Sequence, residues 1–323
     1  MKGHATWLAA ALLLGAFIFG ACRVDEVGLA LPTASPAPTL TLDVDGAERT
    51  YQLHVPERAR PDSGWALVIA VHGLGSDAAG VRARSGFDAT ADNEGFVVAY
   101  PDGLARAWID AGIGSTLADT DIATLNIAYV EALIAAIDGE IGVDPRRIYV
   151  AGISNGGMFA FHTACNLSER VAAVGLVAAA SISQSFDTCA PAEPVAYIAF
   201  HGTGDTVVPY EGGQIVPGFD DIGAYQSAHA AAEFWARFNG CPSESVRAQL
   251  PDTRASDNSI AYREAWAPCA SGRAVELITL DGSGHTWPGH PPSGQRLGAT
   301  NLDIDATQML WDFFAANPKP PGG

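Results

Sequence analysis

Lysine is almost missing from this chain. Lys2 and Lys319 are the only two in 323 residues, and the 18 basic side chains stand against 36 acidic ones, for a formal net charge of -18. No basic cluster occurs anywhere, so a protein that neutralises a phosphate backbone is excluded. Electrostatic docking on anionic lipid is excluded with it, because like charges repel. Cysteine is scarce too. There are five, none in a CxxC pair or at zinc-knuckle spacing, which argues against a resident zinc ion or a dithiol redox site. No internal repeat and no second domain boundary interrupt the chain. Disorder throughout is excluded by 48% apolar residues.

An apolar run from Ala5 to Ala21 follows Lys2 and matches the core of a secretory signal. Its small residues Gly20 and Ala21 immediately precede Cys22, the pattern of a lipoprotein signal in which Cys22 becomes the lipidated first residue. Plain cleavage, or a retained anchor, is the alternative. The expected organisation is a signal peptide over 1–21, a Pro/Ala-rich tether over 22–38, a catalytic domain over 39–317 and a tail over 318–323. Such a protein would work in an extracellular, periplasmic or cell-surface setting, as a monomer, meeting a membrane only through a lipid anchor. Disulfides persist there. With Cys22 set aside, Cys165–Cys189 and Cys241–Cys269 are the preferred bridges.

Strand-like runs recur at 39–44, 48–56, 65–73, 95–101, 146–152, 171–179, 195–202 and 274–280. The first two alternate in polarity, whereas the later ones are continuously apolar, as parallel strands covered on both faces must be. Helices are expected at 121–138, 155–165, 221–238 and 303–315, with long loops near 102–118, 202–220, 242–262 and 286–301. Alternating strands and helices predict a single α/β domain built on a mostly parallel, eight-stranded sheet with helices on both faces.

The segment Gly152-Ile153-Ser154-Asn155-Gly156 closes an apolar strand and opens a helix. Two glycines permit a sharp turn that lifts a serine hydroxyl off the sheet edge, so Ser154 is the expected nucleophile. A serine needs a base, and the base an orienting acid. Among eight histidines, His285 follows the last strand in a Gly/Pro-containing loop, whereas His72 and His201 end strands and would organise loops. Asp205 follows the strand 195–202 and is the expected acid, with Asp221 and Asp281 as alternatives. Oxyanion donors are expected at the backbone amides of Asn155 and of Leu74, in the turn His72-Gly73-Leu74-Gly75.

Together VHGLGSDAAG, YPDG (100–103), DPRRIYVAGISNGG, FHGTGDTVVPYEGG, FNGCP, GSGHTWPG and the closing IDATQMLWDFF resemble the polyhydroxybutyrate depolymerase and feruloyl esterase family. The resemblance spans roughly residues 45–315. It implies an α/β-hydrolase fold and cofactor-free ester hydrolysis by Ser154, Asp205 and His285, and it supports the Cys241–Cys269 bridge. By the same resemblance Trp287 would wall the substrate pocket, with Trp108 a weaker candidate; the alternative for Trp287 is a packing role. The loop after YPDG is poorer in tryptophan than in many relatives, and no carbohydrate-binding module is expected beside the catalytic domain.

The expected activity is serine carboxylic ester hydrolysis without cofactor or metal. The expected substrates are small or oligomeric esters, feruloyl-type or short hydroxyalkanoate, in some cases polysaccharide-linked. Acetyl xylan and aromatic polyester esters are the nearest alternatives. A serine peptidase, an acyltransferase and a non-enzymatic surface binding module are the competing classes.

Overall fold

The computed structural model describes residues 37–108, 120–181, 183–214, 224–290 and 297–321. The expected signal, Cys22, most of the tether and the alternative acid Asp221 lie outside them.

Ten strands form one mixed sheet: β1 (Leu40–Val44), β2 (Ala47–His54), β3 (Trp65–Val71), β4 (Val97–Pro101), β5 (Val143–Ile153), β6 (Ala173–Val177), β7 (Ala196–Gly202), β10 (Val246–Gln249), β11 (Ile260–Trp266) and β12 (Val275–Asp281). The spatial order is β1-β2-β4-β3-β5-β6-β7-β12-β11-β10. The central run from β4 to β12 is parallel, and antiparallel pairs flank it on both sides. Two short strands, β8 (Gly213–Gln214) and β9 (Ala224–Tyr225), pair separately.

Seven helices accompany the described strands: α1 (Ala78–Ser85), α2 (Phe87–Glu94), α3 (Thr120–Ile141), α4 (Asn155–Asn166), α5 (Ser183–Thr188), α6 (Ala228–Phe238) and α7 (Ala306–Ala316). Leu67, Ile69 and Val71 of β3 belong to the core under α3, α4 and α6, whereas Ala66, Val68 and Ala70 belong to the core under α1, α2 and α7. Every β3 side chain is therefore buried, and its unbroken apolar sequence follows from cover on both faces.

All eight expected strands are present, but the sheet is wider than eight. The region 242–262, expected as loop, holds β10 and the start of β11. All four β10 side chains are exposed at the sheet edge, so no apolar alternation marks the strand. α1 and α2 also went unexpected: each is short, and Gly86 in the left-handed region separates them. The helix expected from 221 begins instead at Ala228, where the Ser227 side chain accepts from the Ala230 amide. The supposed tail starts later than 318. The Lys319 amide donates to the Arg146 carbonyl, and its ammonium donates to the Ser168 carbonyl and the Glu193 carboxylate.

Candidate active site

Parallel strands deliver their C-terminal ends to one edge of the sheet, and loops leaving that edge can converge. β5 ends at Ile153, β7 at Gly202 and β12 at Asp281, with Leu280 in register with Gly202. Ser154, Asp205 and His285 follow these three ends.

Ser154 sits at φ 56°, ψ -125°, a conformation that L-residues rarely adopt and that costs on the order of 1–3 kcal/mol. The strain is held by the ladder on one side and by α4 on the other. The Ser154 amide donates to the Val177 carbonyl (2.9 Å), and its carbonyl accepts from Met158 (3.0 Å) in the first turn of the helix. The flanking glycines are required by space: a Cβ on Gly152 would strike the Gly156 carbonyl, and one on Gly156 would strike the carbonyls of Val71 and His72.

Asp205 and His285 are both buried and joined by a hydrogen bond of 2.8 Å from Nδ1 to Oδ2. The other carboxylate oxygen accepts from the amides of Val207 (2.8 Å) and Val208 (2.9 Å). Burial by itself would raise the Asp205 pKa. The hydrogen bonds from His201 and His285, the charge of His285 and the Val208 amide outweigh it, so the carboxyl lies well below its usual range. His201 Nε2 lies 3.6 Å from the same Asp205 oxygen that His285 bonds, and it donates to the Val208 carbonyl at 2.9 Å. The alternative Asp281 is committed elsewhere, accepting from the Thr203 hydroxyl at 2.9 Å.

Leu74 and Asn155 flank Ser154 on the wall of one cavity of 580 Å³, which His285 also lines. Among the described residues, neither the Leu74 nor the Asn155 amide has a hydrogen-bond acceptor, while the next amide, Gly75, donates to the Arg106 carbonyl (2.8 Å). The turn is braced from below. His72 Nε2 accepts from the Gly103 amide (3.0 Å), which leaves Nδ1 to donate to the Gly73 carbonyl (2.8 Å). Burial lowers the His72 pKa and keeps the ring neutral for this pair of roles. Asp102 beside it accepts from the Ala78 amide (2.7 Å) and the Thr50 hydroxyl (2.8 Å), joining β2, the YPDG turn and the start of α1.

A buried acid–histidine pair, a strained serine after the central strand and two free amides are the parts of an acyl-transfer site. The phospholipase/carboxylesterase family model matches residues 58–218. The chain is an α/β-hydrolase of the esterase kind. This hydrolase is 31% identical over 227 residues to feruloyl esterase B of Piromyces equi, covering 68% of this chain but only 39% of that one. It is 26% identical over 317 residues to feruloyl esterase C of Emericella nidulans, covering 96% and 99%. Among solved structures, an acetyl xylan esterase from Aspergillus awamori superposes with a TM-score of 0.59 at 16% identity, over 87% of this chain and 100% of that one. The fold and the class of reaction, carboxylic ester hydrolysis, agree across them.

The remaining walls of the hydrolase cavity include Ile153, Met158, Val207, Val208, Tyr225 and Leu297. Burial, with the Asp205 charge nearby, pushes the Tyr225 hydroxyl up to about 12, so it presents a neutral phenol. Neither tryptophan expected in the pocket lines it. Trp287 is 2% exposed; its ring meets Phe87 edge-on at 5.9 Å, and Nε1 donates to the Thr307 hydroxyl (2.9 Å) at the start of α7. The loop after His285 turns inward beneath α7, so Trp287 fills the packing role. Trp108 is fully buried, stacked on Phe159 at 4.7 Å, and its backbone amide and carbonyl are both bonded by the Asn155 side chain at 2.7 and 2.8 Å.

Cys165 pairs with Cys189 and Cys241 with Cys269, as expected. Several cavity residues escaped the sequence reading, among them both arginines, Arg84 and Arg106. Neither belongs to a motif, and an arginine in the last turn of a short helix reads as ordinary solvation.

Proposed function

We propose that this hydrolase is an exported serine esterase acting on feruloyl-type or short hydroxyalkanoate esters through an acyl-enzyme on Ser154. The observation that carries the mechanism is the Asp205–His285 hydrogen bond beside a cavity that Ser154 lines. With Nδ1 donating to Asp205, His285 presents Nε2 as a proton acceptor. Ser154 Oγ adds to the ester carbonyl as its proton passes to Nε2, and the amides of Leu74 and Asn155 hold the oxyanion. Collapse breaks the carbonyl–alkoxy bond, and the alcohol departs with the proton from His285. Water then adds to the acyl-enzyme by the same route, its proton passing through His285 to Ser154 as the acid is released.

The ester class is supported by two feruloyl esterase relatives and by apolar walls suited to an aromatic or short aliphatic group. Export is supported by the apolar run after Lys2 and by two disulfides, which belong to an oxidising compartment. The test is hydrolysis of methyl ferulate, hydroxybutyrate oligomers, 4-nitrophenyl acyl esters and acetylated xylan by wild type and Ser154→Ala. The variant is expected to lose turnover by at least 1,000-fold, on the scale known for triad members, and to lose labelling by a fluorophosphonate. Retained turnover would refute the serine mechanism.

A further inference from the structure

We infer that the preferred substrate is an anionic ester, carrying a carboxylate at a distance from the scissile bond that is bound by Arg84. The inference rests on the serine esterase mechanism proposed above and concerns the far wall of the same cavity.

Asp77, Gly80 and Arg84 recur at three and four residues along α1 and all face the cavity. At a rise of about 1.5 Å per residue, Arg84 lies roughly 10 Å along the helix from Asp77, away from the Leu74 turn. The charges on this wall are unevenly satisfied. Arg106 Nη2 pairs with Asp77 at 3.1 Å and its Nε donates to the Ser76 carbonyl at 3.2 Å. The other Asp77 oxygen accepts from the Gly80 amide at 2.8 Å. Asp77 is thus committed to Arg106 and to the helix cap.

Arg84 is half-buried and, among the described residues, has no carboxylate or carbonyl partner. That is unusual where acidic side chains outnumber basic ones 36 to 18. Counting Asp77, Arg84 and Arg106, the wall carries one net positive charge; the Asp205 carboxylate stands behind the His285 ring and is already paired. A guanidinium offers a planar fork that a carboxylate fills with two parallel hydrogen bonds. Much of the rest of the lining is apolar: Ile153 and Met158, on either side of Ser154 in the chain, with Val207 and Leu297. The cavity therefore pairs an apolar section at the reacting serine with an unsatisfied cation at its far end. An ester with a carboxylate several bonds from its carbonyl matches both.

Two substrate pairs locate the carboxylate. Mono-4-nitrophenyl glutarate and its methyl-capped diester place or remove it on the acyl side; 4-butyryloxybenzoate and its methyl ester do so on the alcohol side. Wild type is expected to favour the free carboxylate of at least one pair by tenfold or more in kcat/KM, and the pair that responds identifies the side. Arg84→Gln should abolish that preference mainly through KM, Arg84→Lys should keep part of it, and Arg84→Glu should reverse it. Matched melting temperatures will separate binding from folding. Equal rates within both pairs in wild type, or a preference that survives Arg84→Gln, would overturn the inference. Failure of the underlying mechanism looks different: Ser154→Ala would then match wild type on the methyl-capped esters, and this inference would fall with it.

Discussion

At the scale of single residues, the site is a set of hydrogen bonds whose directions are forced. Asp205 spends one oxygen on two backbone amides and the other on His285, which sets both the rotamer of the acid and the tautomer of the base. Replacing it by Asn keeps the shape but removes the charge that stabilises the protonated imidazole, and a loss near 10,000-fold in kcat is expected at neutral pH. Stability should respond with a definite sign. A carboxyl held below its free value of 3.8 stabilises the fold above that pH and loses its contribution as the pH falls through the folded pKa. The stability gap between wild type and Asp205→Asn should therefore be full above about pH 4 and close on further acidification, read by denaturant titration across pH 2–7. Ser154, Asp205 and His285 were legible because each follows a recognisable strand, and the turn spacing did the rest. Trp287 was misplaced because the resemblance, and its position two residues after His285, pointed to the pocket mouth, whereas its indole is committed to Phe87 and Thr307.

At the scale of elements, the turn between β5 and α4 works because nothing there has room to move. Gly152, Gly156 and the carbonyls of Val71 and His72 share a space that admits no methyl group. Gly156→Ala must push α4 away from β3, dragging with it the Asn155 amide and the Asn155 side chain that bonds Trp108 on both backbone groups. A loss of about 1–3 kcal/mol in stability is expected from the overpacking, together with a kcat loss beyond what residual folding explains. Chemical denaturation and active-site titration on one preparation measure the two separately. The strands flanking this turn could be read because burial on both faces leaves only apolar residues to choose from. β10 could not, since all of its side chains face water and its pairing with β11 rests on backbone hydrogen bonds that leave no mark on residue type. α1 was hidden for a related reason, being short and mostly polar, and Arg84 with it.

At the scale of the whole molecule, one sheet separates the chemistry from the means of closing the chain. The loops that carry Ser154, Asp205 and His285 leave the C-terminal ends of the parallel strands, while Lys319 docks beside Arg146 near the opposite end of β5 and bonds the Ser168 carbonyl and Glu193. Lys319→Met should cost about 1.5–3 kcal/mol for the lost charged hydrogen bond to the carbonyl, lowering Tm by roughly 3–10 °C, with kcat/KM at 25 °C unchanged. A fall in kcat/KM at equal folded fraction would contradict that separation. The parallel core and its two helical layers were evident from hydrophobic runs alone. The docking of the C-terminus was not, because Asn-Pro-Lys-Pro-Pro has the composition of a loose end and its contacts are made with residues far away in sequence.

That clamp has a practical corollary. Were Lys2 removed with a leader, as proposed above, the mature chain would keep a single ε-amine, the one of Lys319, which is buried against a carbonyl and a carboxylate. Reagents that acylate, reductively methylate or cross-link lysine would find the N-terminus and little else, and a lysine-directed protease would face one bond, followed by Pro320. Attachment to a surface or a dye would then fall on one amine, more than a hundred residues before Ser154 in sequence.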